Sequence, residues 1–161
     1  MKTKLGQILM IAVVGIIGVL SVNAQRIVDY NFARGNVLHA GDSLKPGQGL
    51  RSPGKSYAFV LQSDGNLCLY KLIKGGVETP IKCTNTTGNE DKRGTHLDMQ
   101  KDGNVVLYNA KGTSLWSTDT YRNGAEKQGL RLVMYDDEAA AIVLFSQKEK
   151  PIYNFQKGRL Y

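Results

Sequence analysis

Tryptophan occurs once in this chain, cysteine and histidine twice each, and proline four times. Two cysteines with distant histidines make no zinc pattern, and four prolines beside 18 glycines exclude a collagen-like or proline-rich chain. Charge is modest as well: 22% of the residues are charged, with a formal net charge of +7. The densest basic stretch, Lys148 to Lys150, is interrupted by Glu149, so the excess reads as a solvated surface and not as a nucleic-acid site, with charge-driven adhesion to an anionic polymer as a competing function that high salt would abolish. His39 and His96 stand in strand-like segments with no nucleophile pattern beside them, and no serine-containing elbow is present. Nothing visible calls for an enzyme, a metal or a cofactor. A sustained helical period of apolar residues is missing too; its best chance, Asp136 to Phe145, ends in a strand-like run.

What the chain has is one domain's worth of material, 161 residues of which 42% are hydrophobic. The first 24 stand apart. Lys2 and Lys4 precede an apolar run from Ile8 to Leu20 that ends in Val22-Asn23-Ala24, the pattern of a cleaved signal peptide. The alternative is an uncleaved anchor, but thirteen apolar residues fall short of the roughly 18 needed to span a bilayer. The expectation is therefore a signal peptide over 1–24, a mature chain from Gln25, secretion to the extracellular space, and no membrane span after cleavage. Losing Lys2 and Lys4 lowers the formal charge from +7 to +5. Export implies an oxidising compartment, in which Cys68 and Cys83 are better candidates for one disulfide than for a metal.

A repeat organises the rest. Gln62-Ser63-Asp64-Gly65-Asn66-Leu67-Cys68-Leu69-Tyr70 recurs as Gln100-Lys101-Asp102-Gly103-Asn104-Val105-Val106-Leu107-Tyr108, offset by 38. A second block follows each copy, Ile81 to Thr86 and then Leu115 to Thr120, offset by 34. A third copy keeps only the hydrophobic frame: Ile142-Val143-Leu144-Phe145 and Ile152-Tyr153 lie 37 residues past their counterparts, while Asp136 to Ala141 replaces the polar set. Each copy reads as a hairpin, because Asp-Gly between apolar runs favours a tight turn in which glycine accepts positive φ. The chain is predicted to be all-β.

Folding back at Asp-Gly brings the Gln of one strand beside the Asn and the aliphatic residue of the next. One carboxylate, two amides and a phenol then converge on a shallow patch that offers donors and acceptors to hydroxyls and an aliphatic floor to C–H groups, which suits a sugar. Turn formation alone requires neither the Gln before the turn nor the Tyr after it.

At these residues the chain resembles the bulb-type mannose-binding lectins of monocots, whose motif is Gln-x-Asp-x-Asn-x-Val-x-Tyr. The second copy matches at all five positions. The resemblance reaches upstream through Asn36-Val37-Leu38, Gly41, Leu44, Gly47 and Leu50, which look like the family's opening strand pair, and downstream through Trp116 to Thr120. It implies a β-prism II fold, three four-stranded antiparallel sheets about a pseudo-threefold axis with Trp116 toward the centre, and a lectin domain over 36–161 preceded by an extension over 25–35. It also implies a non-catalytic, cofactor-free protein. Gln100, Asp102, Asn104, Val106 and Tyr108 would form one carbohydrate site, and Gln62, Asp64, Asn66 and Tyr70 another. Partners would be mannose-containing glycans or glycoproteins, with a homodimer formed by exchange of the C-terminal strand, for which Ile152 to Tyr161 would serve. Departures stand beside the match: Cys68 replaces a Val, Lys82 replaces a Trp, and the third copy lacks its Gln, Asn and Tyr. One strong site, one weaker site and one without sugar binding are expected.

Cys68 falls in the returning strand of the first copy and Cys83 in the strand that should pair beside it, so a cross-strand disulfide is expected. Asn85-Thr86-Thr87 is a glycosylation sequon or a turn-forming Asn. A lectin-like interaction or toxin module that has lost sugar binding is the competing function.

Overall fold

The structure is a computed structural model that describes residues 29–73, 77–123 and 129–160. The expected signal peptide and the mature terminus at Gln25 lie outside the described residues. In chain order the strands are β1 (Val37–His39), β2 (Ser43–Leu44), β3 (Gln48–Arg51), β4 (Tyr57–Leu61), β5 (Leu67–Ile73), β6 (Val77–Cys83), β7 (His96–Met99), β8 (Val105–Tyr108), β9 (Ser114–Ser117), β10 (Gly129–Met134), β11 (Ile142–Ser146), β12 (Pro151–Asn154) and β13 (Gly158–Arg159). A 3-10 turn spans Thr120–Asn123. Among the described residues no helix is long and apolar enough to cross a membrane.

Three antiparallel sheets result, ordered β3-β4-β5-β6, β2-β7-β8-β9 and β1-β10-β11-β12-β13. Each is built on one copy of the repeat, with hairpins closed at Leu61↔Leu67, Met99↔Val105 and Met134↔Ile142. The opening residues are not a strand pair. β1, β2 and β3 go to the third, second and first sheets in turn, so one short stretch straps all three together. Leu38, Leu44 and Leu50, one from each of these strands, are fully buried.

The alternation of each strand supplies the shared core. Phe59, Leu61, Leu67 and Leu69 point inward from the first sheet, Leu97, Met99 and Leu107 from the second, and Leu132, Met134 and Leu144 from the third. Burying each such side chain contributes roughly 1.5–3 kcal/mol. Phe59 meets Phe155 edge-on at 4.9 Å, and Trp116 meets Phe155 at 5.5 Å and Tyr153 at 6.2 Å. Trp116, Tyr153 and Lys82 hold equivalent register positions, opposite Leu107, Leu144 and Leu69. Lys82 therefore stands where the other two sheets place an aromatic ring, and its ammonium lies 5.5 Å from the Phe155 ring centre.

Outer faces differ between sheets. β7 alternates buried and half-exposed residues, whereas β4 is buried throughout. The cause is the segment before β1: Tyr30 packs on Ala58 and Val60 and, with Phe32, covers the outer side of the first sheet beside Tyr70 and Leu72. The C-terminal strands stay at home, β12 paired with β11 and β13 with β12. Strand exchange with a second chain would have to take them from this sheet.

Cys68 and Cys83 are opposite each other in the β5–β6 ladder and are joined by a disulfide, with Cα atoms 4.2 Å apart. Asp136, in the third hairpin's loop, is a tether: it accepts the Ser52 hydroxyl at 2.6 Å and the Gly54 and Ser56 amides at 2.5 and 3.2 Å. These donors, the Ser52 hydroxyl foremost, hold its carboxyl below the usual carboxylate range.

Two outcomes follow. The Cys68→Ser, Cys83→Ser double variant, which opens a loop with a sequence separation of 15, should lose about 3 kcal/mol in urea unfolding. Because the Asp136 pKa is depressed by folding, its contribution is present above the unfolded carboxylate pKa of about 4 and is lost as pH falls through the lower folded value. Thermal melts should show Asp136→Asn less stable than wild type at pH 7, with the gap closing in acid; a gap independent of pH would refute the tether.

Candidate functional site

The turn of the second hairpin is a three-residue loop between Gln100 and Asn104. The Gln100 amide donates to the Asn104 carbonyl at 2.8 Å and the Gly103 amide to the Gln100 carbonyl at 3.0 Å, with Gly103 at φ 88°. This is the longer hairpin loop in which glycine takes the left-handed position, and not a two-residue turn. One Asp102 oxygen accepts the Asn104 backbone amide at 3.0 Å, which leaves the other for a ligand. The Gln62 to Asn66 loop repeats this, with Asp64 accepting from Asn66 at 2.9 Å and Gly65 at φ 89°. A Cβ on Gly65 would lie 2.6 Å from the Gly94 nitrogen, so close backbone approach also demands glycine there.

Asn104 is only 6% exposed, and its side chain has two ends with different duties. The carbonyl end accepts the Thr118 hydroxyl at 2.9 Å and the Thr120 amide at 3.3 Å. Thr118 in turn accepts the Val105 amide at 3.0 Å, and the Thr120 hydroxyl donates to the Gly103 carbonyl at 2.6 Å. The loop is thus tied to the residues after β9, and the amide end of Asn104 remains as a donor. Nearby, the Gln100 side-chain amide donates to the Tyr108 hydroxyl at 2.8 Å, so the phenolic proton is left to donate outward. The His96 ring stacks on Tyr108 with centroids 5.2 Å apart and has the carboxylate of Asp98, its same-face neighbour on β7, at 3.9 Å.

A backbone irregularity aims the phenol. The β8–β9 register slips by one between Leu107 and Tyr108, leaving Leu115 as the extra residue. The same slip occurs between Leu69 and Tyr70 and between Leu144 and Phe145. Gln100, Asp102, Asn104, Val106 and Tyr108 consequently line one open cavity of about 330 Å³. Ser114, Ser117, Asp119 and Tyr121 complete its wall. Sequence reasoning missed these, although the repeated Thr84-Asn85-Thr86 and Thr118-Asp119-Thr120 blocks carried the signal that the strand ends belong to the site. Asn85 and Asp119 share a left-handed backbone, at φ 58° and 54°.

The first sheet brings together Gln62, Asp64, Asn66 and Tyr70 in a looser version. Gln62 donates to the Tyr70 hydroxyl at 2.7 Å, but the Asn66 carbonyl meets Thr84 and Thr86 only at 3.4 Å each. Cys68 and Cys83 hold the register positions of Val106 and Ser117, so a disulfide forms the floor. Tyr30 crowds the same face. Burial pushes its phenol up to about 12, with Tyr70 and Asp64 adding to the rise and the neighbouring Gln62 amide opposing it. Burial likewise raises the Tyr70 phenol.

On the third sheet the register puts Tyr135, Ala141, Val143 and Phe145 where the second has Gln100, Asn104, Val106 and Tyr108. The loop is two residues longer, closed by the Tyr135 amide on the Ala141 carbonyl at 2.9 Å. Asp137 accepts the Ala139 amide at 2.8 Å, as Asp102 accepts that of Asn104. Asp136 is spent on its tether. Among the described residues no cluster of His, Cys, Asp and Glu could hold a metal ion.

No protein-family profile matches the chain. It is 46% identical over 76 residues to a mannose-specific lectin of Narcissus tazetta, a match covering 47% of this chain and 48% of that protein. The chain thus spans about half the length of that relative. It is 33% identical to the B-type lectin plumieribetin of Scorpaena plumieri over 53% of this chain and 67% of that protein. Among solved structures, the mannose-specific agglutinin of snowdrop (Galanthus nivalis), complexed with methyl-α-D-mannoside, superposes with a TM-score of 0.50 at 32% identity, covering 70% of this chain and 90% of that one. These relatives are lectins. With the repeat, the three sheets and this kinship in agreement, the chain belongs to the bulb-type, snowdrop-like family of mannose-specific lectins and has its β-prism II fold.

Proposed function

We propose that this protein is a secreted, non-catalytic lectin that binds mannose or mannose-containing glycans and glycoproteins, chiefly through the second-sheet site. One observation carries the reading: all five motif residues line a single cavity of about 330 Å³. That space suits one sugar ring. Asp102 supplies an acceptor, Asn104 and Tyr108 supply donors, Gln100 supplies both, and Val106 supplies the apolar floor. By the family resemblance, Asp102 and Asn104 would meet the axial hydroxyl that distinguishes mannose from glucose. The disulfide supports secretion, since such bonds persist in oxidising compartments. The first-sheet site is the weaker partner, because its floor is a covalent link and Tyr30 crowds its face.

A shallow site with few contacts should bind free mannose at about the millimolar level, roughly 4 kcal/mol, and multivalent glycans far better. Raising salt should change neutral-sugar binding little. A folded protein without mannose preference on a glycan array would instead favour the lectin-like interaction module, a reading to which the apolar third face lends weight.

The two-ended role of Asn104 selects the test. Asn104→Ala would untie Thr118 and Thr120 and so confuse folding with binding. Asn104→Asp keeps an oxygen for both, turns the outward donor into an acceptor and adds a negative charge near Asp102. Calorimetry with methyl α-mannoside should show this variant weakened by at least about 1–3 kcal/mol while circular dichroism shows the fold retained, and Asn66→Asp weakened less. Wild-type affinity in Asn104→Asp would refute the site.

A further inference from the structure

The third sheet has kept the cavity and exchanged its chemistry. A space of about 360 Å³ lies where the second sheet has its site, close to that site's 330 Å³. The register makes the exchange residue by residue: Tyr135 stands for Gln100, Phe145 for Tyr108 and Pro151 for Ser114, while Val143 keeps the apolar floor of Val106. Asn104 has become Ala141, which is fully buried, and neighbouring Ala140 lines the space. The amides and the phenol of the motif have gone from their register positions; of the polar groups that line the space, Asp137 is held in part by its own loop, and Asn154 donates to the Ala139 carbonyl and accepts the Gln156 and Lys157 amides.

Such a surface is a poor place for a sugar. With Ala141 and Phe145 in place of Asn104 and Tyr108, several of a polyol's hydrogen bonds have no partner on this wall. It is better made for a mostly apolar ring. Tyr135 and Phe145 stand edge to face with centroids 6.0 Å apart, an arrangement that offers both an aromatic face and an aromatic edge to a third ring. The Arg131 guanidinium, 5.0 Å from the Phe145 centroid, packs on that ring. Two large apolar residues border the cavity and remain in water, Tyr135 at 38% exposure and Leu160 at 42%. Concave apolar walls with exposed aromatic rims mark binding surfaces. Asp137 and Lys157 contribute one charge of each sign to the lining, so the occupant needs no net charge and can carry one polar substituent.

We propose that this third-face cavity is a binding site for a small neutral aromatic compound, a single substituted ring of about monosaccharide size. The site is independent of the sugar sites on the other two sheets.

The probe is p-cresol, titrated into the whole protein and followed by NMR. The expected result is saturable shifts at the Val143 methyls and the Phe145 ring that methyl α-mannoside does not reverse. Tyr135→Gln, which alters an exposed side chain, should weaken p-cresol at least about five-fold while leaving mannoside binding unchanged. Ala140→Phe, which fills the cavity, should abolish it. Displacement of p-cresol by the mannoside would place it in a sugar site and overturn the proposal. So would shifts confined to other residues, or unchanged affinity in both variants. Sedimentation that shows self-association through this face, unaffected by p-cresol but broken by Ala140→Phe, would make a second copy the occupant and overturn it equally.

Discussion

Closure of three sheets around one core is the constraint on which everything else rests. A hairpin pair with a single apolar face cannot bury that face alone, and none of the three sheets has a partner layer of its own. The strap from β1 to β3 resolves this by giving one strand to each sheet and one leucine from each strand to the centre. With Leu38, Leu44 and Leu50 inside, the inward residues of all three hairpins share one interior. The outward residues are then released from packing in the central core, although on the first sheet Tyr30 and Phe32 cover them. They can take on binding chemistry without cost to the core, which is why five polar and apolar side chains on one surface can change together while the leucine frame beneath persists.

Within each outer face, one amide connects fold and site. The Asn104 carbonyl fastens the hairpin loop to Thr118 and Thr120, and its buried hydrogen bonds fix where the amide end points. A ligand meets a donor already oriented by the fold, so less ordering is required on binding. The first sheet shows what happens when the tie loosens: longer contacts at Asn66, a disulfide in place of the valine floor, and an aromatic side chain from the N-terminal segment lying on the same face.

Much of this was legible in the sequence because it is local. Hairpin, turn glycine and polar pattern all fall within nine consecutive residues, and the 38-residue offset announces that they recur. Cys68 and Cys83 were pairable because the ladder between them follows from one hairpin. What escaped was long-range or depended on register. The opening strands look like a pair, since nothing in Asn36 to Leu50 says that each will join a different sheet. Ser117, Asp119 and Tyr121 enter the cavity through the path of the chain after β9. Asp136 stands in the stretch that replaces the polar set of the third copy, and nothing local says that it tethers a loop some 80 residues earlier in the chain. Tyr108 meets His96 only across the ladder, whereas Asp98, two residues along the same strand, shares its face by simple alternation and was legible there.

Register also explains how one fold can carry unlike sites. The slip at Leu69/Tyr70, Leu107/Tyr108 and Leu144/Phe145 is common to all three sheets, so the residue after it is presented in the same way whatever its chemistry. In two sheets that residue is a tyrosine whose hydroxyl accepts from a glutamine; in the third it is a phenylalanine packed against a tyrosine that stands where the glutamine was. Losing the hydroxyl and the amide together is the coherent change, because removing either alone would strand a polar group in a half-buried wall. The third copy therefore looks less like a motif falling apart residue by residue than like a wall rebuilt as a unit, polar pair for apolar pair, on a scaffold that did not have to move.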